Sequence, residues 1–256
     1  MLAALTLIHV SVFSLFHPTE FTVRPAKSSV LVVNNETIEG AQARTIKAAA
    51  KITGRNDAPA DFILSVPNRI TREFHGTLEV RREGAHLLAI VEMDIETAVA
   101  SIVEGEAPGS GREARNAQAV AARSYLAATH GRHQGYDFCD TTHCQYLRGA
   151  SAIGSVGNQA ALDTRALTLV YQGRIVPALY SADCGGHTRS LKEAGWPDDG
   201  QGYPFFEVAC PIKGPQRGHG IGLCQRGAME LARRGMGFRE ILAYFFPAST
   251  LVALTD

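Results

Sequence analysis

The sequence has no excess of either charge, because its 25 Lys and Arg residues balance its 25 Asp and Glu residues. A nucleic-acid-binding domain usually carries a strongly basic face, so this balance gives no indication of a nucleic-acid partner. Internal repeats and low-complexity tracts are also missing. With 45% hydrophobic and 20% charged residues over 256 positions, the composition is typical of a globular chain that can bury a sizeable core.

A hydrophobic run long enough to cross a bilayer is missing as well, so the sequence predicts no transmembrane span. Residues 2–16 are mostly apolar, but no Lys or Arg precedes them as in a signal peptide. We therefore expect a buried strand here rather than the core of a signal peptide. A start codon placed too late would remove a true signal.

The five cysteines are an odd number, which cannot form a complete disulfide framework. They are Cys139, Cys144, Cys184, Cys210 and Cys224. The last three, together with His187, could form a second metal site or a single disulfide, and the sequence leaves both readings open.

The first two cysteines lie among histidines, in the order His133, Cys139, His143 and Cys144. Two thiolates and two imidazoles make a complete tetrahedral set, which leaves no position for an activated water. Four soft ligands in one short loop favour a structural metal over a local Cys139–Cys144 disulfide.

The pattern of short strands and turns predicts a β-rich region over residues 1–90, and helices are expected at about 93–106 and 112–129. A loop-rich segment, a strand pair at Ala166–Tyr171 and Ile175–Tyr180, and helices at about 223–234 and 237–246 follow. The predicted fold class is α+β, with a mixed helix and strand domain over residues 91–256.

Glu106 stands out on the first predicted helix. At 100° per residue it falls on the apolar stripe of that helix, while Glu104 falls on the opposite side. Burial would raise the pKa of this carboxyl and so suit it to proton donation, unless the helix frays before Glu106 and leaves it solvated.

Two further motifs offer polar groups. Gln118 shares a helix face with small residues and Tyr125, where it could bond neighbouring backbone or face a cleft. His219 lies in a glycine-rich loop that leads into a helix, and it could be structural or line a ligand cleft.

Five motifs follow one another over roughly residues 90–250. They are Glu106-x-Pro108, EARNAQAVAARSY (113–125), FCDTTHCQYLRG (138–149), YSADCGGHT (180–188) and GHGIGLCQRGA (218–228). In this order they resemble the sporulation stage II protein D family, also called the SpoIID/LytB or amidase-enhancer family.

This resemblance implies a lytic transglycosylase that cleaves the bond between N-acetylmuramic acid and N-acetylglucosamine in peptide-stripped glycan strands. Residues 91–256 would then be the catalytic domain with its substrate groove. Glu106 would be the catalytic acid and base, and His133, Cys139, His143 and Cys144 would bind structural zinc. The substrate-binding candidates are Gln118, Arg123, Tyr125, His219 and Gln225.

The resemblance also implies an exported cell-envelope protein that acts on peptidoglycan glycan strands and has a cell-wall amidase as a further partner. Two other functions remain open, a non-catalytic enhancer of an amidase and a zinc-dependent peptidoglycan hydrolase. The chain departs from the family pattern at Asn116, Ala107 and Leu223-Cys224, which bears on substrate preference more than on reaction type.

Overall fold

The computed structural model describes residues 7–150, 152–197 and 202–254, and these residues form two compact units. The sheet unit comprises residues 7–101 and 130–150, and the helical unit comprises residues 102–129, 152–197 and 202–254. Strands and helices both contribute, which confirms the predicted α+β class. The division at residue 90 stays a prediction about domains.

Ten strands within the described residues of the sheet unit form one sheet. In chain order they are β1 (Leu7–Val12), β2 (Phe21–Pro25), β3 (Val30–Val33), β4 (Glu36–Glu39), β5 (Arg44–Ile46), β6 (Ala50–Thr53), β7 (Ala60–Val66), β8 (Ile70–Glu83), β9 (His86–Asp94) and β10 (Phe138–Cys139). The main strand order is β10-β1-β9-β8-β6-β3-β4, and β2 pairs with β5 and β7. The β1–β10 pair is parallel, whereas β1 and β9 are antiparallel.

Alternating burial explains why these segments form strands. In β7 every second residue is buried, which places Phe62 and Leu64 on the inner face of the sheet. Phe74 of β8 packs between Phe62 and Phe13, with ring centroids 5.8 Å apart in each pair. The predicted N-terminal strand is present from Leu7 to Val12, and its first residues lie outside the described part of the chain.

The helical unit is built around one central helix. Its helices are the end of α1 (Ile95–Glu106), then α2 (Arg112–Ala128), α3 (Val156–Asp163), α4 (Gln225–Arg233) and α5 (Phe238–Phe245). Its strands are β11 (Leu167–Tyr171), β12 (Arg174–Ile175), β13 (Tyr180–Ser181), β14 (Leu223–Cys224) and β15 (Thr250–Ala253). β11 pairs with β12 and β15, and β13 pairs in parallel with β14.

The central helix is α2, which is buried on nearly all sides and packs against α3, α4, α5 and β11. Ala114, Ala117 and Ala121 have at most 3% of their surface exposed, and their small side chains allow neighbouring backbones to approach closely. These alanines therefore form a packing surface on α2, and Gln118 lies within that surface.

The structure differs from the sequence-based expectation at two places. Helix α3 lies in the segment expected to be loop; it is held by its tertiary contacts, because Glu104 accepts a hydrogen bond of 2.9 Å from the backbone N–H of Gly157. The predicted strand Ile175–Tyr180 is split, since β12 ends at Ile175 and Tyr180 pairs with Leu223 in β14. Among the described residues, none of the helices is long and apolar enough to cross a membrane.

Candidate functional site

Glu106 is the last residue of α1, and the helix persists through it. The stripe that precedes it is buried, with Ile102 and Val103 at most 1% exposed, while Glu106 itself is half-buried. Glu104 is engaged elsewhere, on the N-terminus of α3. Glu104 and Glu106 therefore have different surroundings, although they are only two residues apart. Glu106 is the one that lies on the same face of α1 as the apolar stripe.

Glu106, Gln118 and Gln225 come together within the helical unit. The side-chain amide of Gln225 donates to the backbone carbonyl of Glu106 and to Oε1 of Gln118, at 3.4 Å in both cases. These hydrogen bonds are long, so they are weak. The three residues belong to α4, α1 and α2 respectively.

The Nε2 atom of the Gln118 amide lacks a hydrogen-bond partner. Gln118 is 1% exposed, and its Nε2 makes no hydrogen bond with any described residue. A buried amide without a partner costs about 1–3 kcal/mol, so such groups are uncommon in folded proteins unless a ligand or water completes them. Gln118 thus offers a preformed donor beside Glu106.

Tyr180 is a further neighbour of Glu106. Burial raises the pKa of its phenol well above the ordinary value, and the negative charge of Glu106 raises it further. Tyr180 therefore stays protonated and can donate a hydrogen bond. The sequence analysis placed Tyr180 in a motif without assigning it a role, because a two-residue strand gives no periodic signal. We call Glu106, Gln118, Tyr180 and Gln225 the Glu106 cluster.

His219 and Trp196 lie side by side in the same unit, with ring centroids 5.2 Å apart. Nδ1 of His219 accepts a hydrogen bond of 3.0 Å from the backbone N–H of Ile221. Burial lowers the pKa of His219, while a hydrogen bond with the backbone of Tyr180 opposes this effect. Trp196 is 43% exposed, and the sequence analysis missed it because a lone Trp in a loop has no pattern.

Arg123 does not join this group. Its side chain has no exposed surface, and its guanidinium donates to the carbonyl oxygens of Leu167 and Ala161. This geometry corrects the assignment of Arg123 to substrate binding, because the charge is used to tie α2 to the segments around α3. Tyr125 is 3% exposed and lies near Tyr180, whose pKa it raises.

The four predicted metal ligands converge in the sheet unit. The ligand atoms of His133, Cys139, His143 and Cys144 all lie within 4.8 Å of one another, and both cysteines are free. Nε2 of His133 lies 3.2 Å from Sγ of Cys144, and Nδ1 of His143 lies 3.7 Å from Sγ of Cys139 and 3.6 Å from Sγ of Cys144. This loop cluster could hold a metal ion.

The two thiols of the loop cluster perturb each other's protonation. A hydrogen bond from Cys144 lowers the pKa of Cys139 to about 3, and the same pairing raises the pKa of Cys144. The pair therefore favours one thiolate shared with one thiol near neutral pH. A thiolate is the form that binds metal ions.

The loop cluster is anchored to β1. Strand β10 ends in Cys139 and pairs with Ser11, and the backbone N–H of Phe13 donates to Asp140. Arg72 forms an ion pair of 2.9 Å with Asp140 and also donates to the carbonyl of Leu147. Burial raises the pKa of Asp140, and Arg72 offsets part of that effect.

A second group of possible metal ligands lies in the helical unit. The sulfur atoms of Cys184, Cys210 and Cys224 lie within 4.8 Å of one another, and all three cysteines are free. We call these residues the thiol cluster. His187, which the sequence offered as a fourth member, is exposed and lies outside this group.

A cavity of about 590 Å³ opens near the start of α2 and along α4, lined by residues that include Arg112, Met229 and Glu230. The predicted site residues do not line it. Its acidic and basic groups are engaged, since Glu230 pairs with Arg233 and Arg112 pairs with Asp163. The Glu106 cluster therefore remains the candidate functional site.

Comparison with known proteins gives two findings. The sequence profile of the family described as stage II sporulation protein, SpoIID, matches residues 83–171. An uncharacterized protein of Brachyspira hyodysenteriae is 31% identical over 146 residues, a region that covers 56% of this chain and 37% of that protein. The family match includes Glu106, Gln118 and the loop cluster, while His219 and Gln225 lie outside it.

Proposed function

We propose that this chain, which belongs to the SpoIID family through residues 83–171, is a lytic transglycosylase of the bacterial cell wall. Membership of the family is consistent with a cell-wall role. The Glu106 cluster is the observation that carries the finer proposal, because it combines a half-buried carboxylate with an unpaired buried donor on Gln118. The substrate is the bond between N-acetylmuramic acid and N-acetylglucosamine in peptide-stripped glycan strands.

Glu106 first acts as a general acid. In its protonated form it donates to the glycosidic oxygen while the bond breaks through an oxocarbenium-like state. The resulting carboxylate then accepts the proton of the muramic acid's own C6 hydroxyl, whose oxygen attacks the anomeric carbon. The product is a 1,6-anhydro ring, and one proton has moved from the C6 hydroxyl to the leaving oxygen.

One carboxylate is sufficient for this reaction because the substrate supplies the nucleophile. Ordinary glycosidases need two carboxylates, one for the leaving group and one for the nucleophile or the water. Gln118, Gln225 and Tyr180, the residues placed around Glu106 by the contacts described above, carry no charge at neutral pH. A neutral surrounding of this kind suits a carboxyl group that must exchange its proton.

The groove is lined by the remaining polar and aromatic groups. Gln118 supplies an unpaired N–H donor and Tyr180 a protonated hydroxyl, both suited to sugar hydroxyls and N-acetyl carbonyls. Trp196 offers an exposed ring on which an apolar sugar face can stack, and His219 supports that ring. His219, Gln225 and Tyr125 complete the proposed groove.

The loop cluster fits structural zinc. A tetrahedral ion with bonds of about 2.0–2.3 Å separates its ligand atoms by about 3.3–3.8 Å, and the three measured separations of 3.2, 3.6 and 3.7 Å lie near that range. Four side chains would fill the coordination shell, so the ion would stabilise the loop without activating water. Metal analysis of the purified protein tests this: about one zinc per loop cluster is expected, and it should be lost in Cys139→Ser.

The substrate requires that the protein act outside the cytoplasmic membrane, so we propose export to the cell envelope. An amidase that strips stem peptides would produce the proposed substrate. Such an enzyme would therefore act before this protein on the same glycan strand. The matched region covers only 37% of the length of the Brachyspira protein. The activity of a whole protein of that length is therefore part of the proposal as well.

The decisive experiment incubates the purified protein alone with peptide-free glycan strands and analyses the products by mass spectrometry. New 1,6-anhydromuramic ends are the expected result. Reducing ends instead, abolished by a chelator that leaves the fold intact, would indicate a zinc hydrolase. Binding without cleavage, together with faster action of an added amidase, would indicate an enhancer, and either outcome would overturn the proposal.

A further inference from the structure

We propose that Cys184, Cys210 and Cys224 form a second metal site, in which three thiolates hold one thiophilic cation, Zn²⁺ or Cu⁺. The three sulfur atoms lie within 4.8 Å of one another although the residues come from separate segments of the chain. Chance does not readily bring three thiols to one point, because each segment must place its cysteine independently.

The chemistry of the donors selects the class of ion. Cys184, Cys210 and Cys224 are 2%, 9% and 0% exposed, and they belong to the apolar core of the helical unit. Within the described chain, no histidine or carboxylate joins these three sulfurs at the same spacing. Thiolates without oxygen or nitrogen ligands favour soft cations such as Cu⁺ and Zn²⁺ over Mg²⁺ or Ca²⁺.

Hydrogen bonds join the three segments that carry these cysteines. The N–H of Cys210 donates to the carbonyl of Gly186 at 2.8 Å, which joins the segment that follows Cys184 to the segment of Cys210. Cys184 is joined to Cys224 in turn, because its N–H donates to Sγ of Cys224 at 3.4 Å. The sulfurs therefore converge in a preorganised arrangement, which lowers the entropic cost of binding an ion.

Cys224 has a setting that suits a negatively charged sulfur. It is the N-cap residue of α4, and its Sγ also accepts the backbone N–H of Gly227 at 3.4 Å. Backbone donors and the positive end of a helix both stabilise a thiolate. Metal-bound sulfur keeps such hydrogen bonds, so they are compatible with an occupied site.

Gly227 leaves the space that the thiol cluster needs. A Cβ atom at this position would lie 2.6 Å from Sγ of Cys210 and 2.9 Å from Cζ of Phe245. Both distances are shorter than van der Waals contact, so a larger residue would require Cys210, Phe245 or α4 to shift. The close approach of α4 to the sulfurs thus depends on the absence of a side chain here.

The cation would stabilise the Glu106 cluster, and this part of the inference rests on the proposed function. Cys224 directly precedes Gln225 and pairs with Ser181, the neighbour of Tyr180. An ion bound to Cys224 would therefore fix the two backbone segments that present Gln225 and Tyr180. Metal binding itself is independent of whether the protein cleaves glycan.

The first test uses the wild-type chain and distinguishes a metal site from a disulfide. Protein purified under reducing conditions is freed of metal, reloaded separately with Zn²⁺ and with Cu⁺, and treated with a thiol-alkylating reagent. Peptide mapping should show that either or both ions protect Cys184, Cys210 and Cys224, and that a chelator removes the protection. A disulfide between two of these cysteines that persists in metal-loaded protein, or equal alkylation with and without each ion, would overturn the proposal.

The second test counts ions in variants. The double variant Cys139→Ser/Cys144→Ser lacks the thiols of the loop cluster and serves as the background. After separate loading with Zn²⁺ and with Cu⁺, it should still bind one equivalent of at least one of these ions. The ion that reaches full occupancy is the one that the thiol cluster binds. Adding Cys210→Ser should abolish that equivalent, and Co²⁺ in place of Zn²⁺ should lose its sulfur charge-transfer absorption. Ser14→Ala is the matched control and should retain the ion. If the background variant binds neither ion while circular dichroism shows that it is folded, the thiol cluster is not a metal site.

Discussion

The sheet unit and the helical unit treat their buried polar groups differently. In the sheet unit, the buried ion pair of Arg72 and Asp140 is surrounded by further partners from the backbone. In the helical unit, Asn116 Oδ1, Gln118 Nε2 and Ser181 Oγ lack hydrogen-bond partners among the described residues. Ser11 Oγ is the corresponding atom in the described part of the sheet unit.

We interpret this difference as a division of roles, in which the polar groups of the sheet unit stabilise the fold and those of the helical unit bind a ligand. Polar groups that are fully bonded contribute to stability, whereas unpaired buried groups cost stability and are retained where a ligand completes them. Gln118 lies at the Glu106 cluster, and Ser181 is adjacent to Tyr180. We therefore expect substitutions in the helical unit to affect activity first, and substitutions around Arg72 to affect stability first.

The largest effect is expected for Glu106→Gln. General acid and base catalysis contributes about 10²–10⁴-fold, so the rate of anhydro-end formation should fall by at least that amount. The free energy of unfolding should change little, because the residue is half-buried and lies at a helix end. Glu104→Gln is the matched control, since its side chain caps α3; it should keep most of the activity, and equal losses in both variants would contradict the assignment.

The next largest effect is expected for Arg72→Met. Removing one partner of a buried ion pair costs about 3–5 kcal/mol, because Asp140 would be left without its counter-charge. Urea unfolding monitored by circular dichroism measures this loss. The double variant Arg72→Met/Asp140→Asn should recover most of it, while glycan cleavage per folded molecule should be unchanged. A fully stable Arg72→Met would show that the pair does not anchor the loop.

Gln118→Met should move stability and activity in opposite directions. Removing the Gln118 amide eliminates a buried Nε2 donor that has no partner, at the loss of the weak 3.4 Å hydrogen bond from Gln225 to Oε1. The free energy of unfolding should therefore rise, by up to about 1–3 kcal/mol. The same change should lower kcat/KM by roughly ten-fold or more, since a hydrogen bond to the substrate is lost. Loss of both stability and activity would mean that Gln118 has a structural role.

Trp196→Ala should have a smaller effect that is confined to binding. An aromatic contact contributes about 0.5–1.5 kcal/mol, so KM for glycan strands should rise about two- to ten-fold while kcat is maintained. Trp196→Phe retains a ring and should restore most of the affinity. An unchanged KM in Trp196→Ala would remove this residue from the groove.

The smallest effect is a change of stability with pH through Asp140. Burial raises the pKa of this carboxyl in the folded protein above its ordinary value of 3.8. Between 3.8 and the raised pKa, the folded state holds a proton that the unfolded state has lost, so this group's contribution to stability falls as pH rises through that window. Unfolding measured at a series of pH values should show this slope as the difference between wild type and Asp140→Asn. A difference that does not vary with pH would contradict it.

The sequence predicts the α+β class and the principal helices because their signals are local. The apolar stripe of α1 and the alternation of β7 and β8 can be read from short windows, and the loop cluster lies within twelve positions of the sequence. The position of Glu106 on the apolar stripe is a local pattern of the same kind, and its catalytic role stays a prediction. These features depend on neighbours in the chain, and the structure places them as expected.

The remaining features depend on contacts between distant segments. The thiol cluster draws its sulfurs from three segments, and Tyr180 reaches Glu106 through a two-residue strand. Helix α3 has a local N-cap in Ser155, and Glu104 of another helix also accepts a hydrogen bond from its N-terminus. The family resemblance offered Arg123 as a substrate-binding candidate, but its burial against backbone carbonyls is set by the packing of α2.

The pairing of β1 has a consequence for the way the protein is synthesised. β1 leaves the ribosome first among the described strands and pairs with β9 on one side, but its other edge is closed by β10. The two segments lie 128 residues apart where His9 meets Asp137. Until that second segment emerges, a nascent chain presents an open strand edge, which is a template for intermolecular pairing. Rapid closure by β10, with Arg72 and Asp140 securing it, would therefore protect the chain from aggregation during translation.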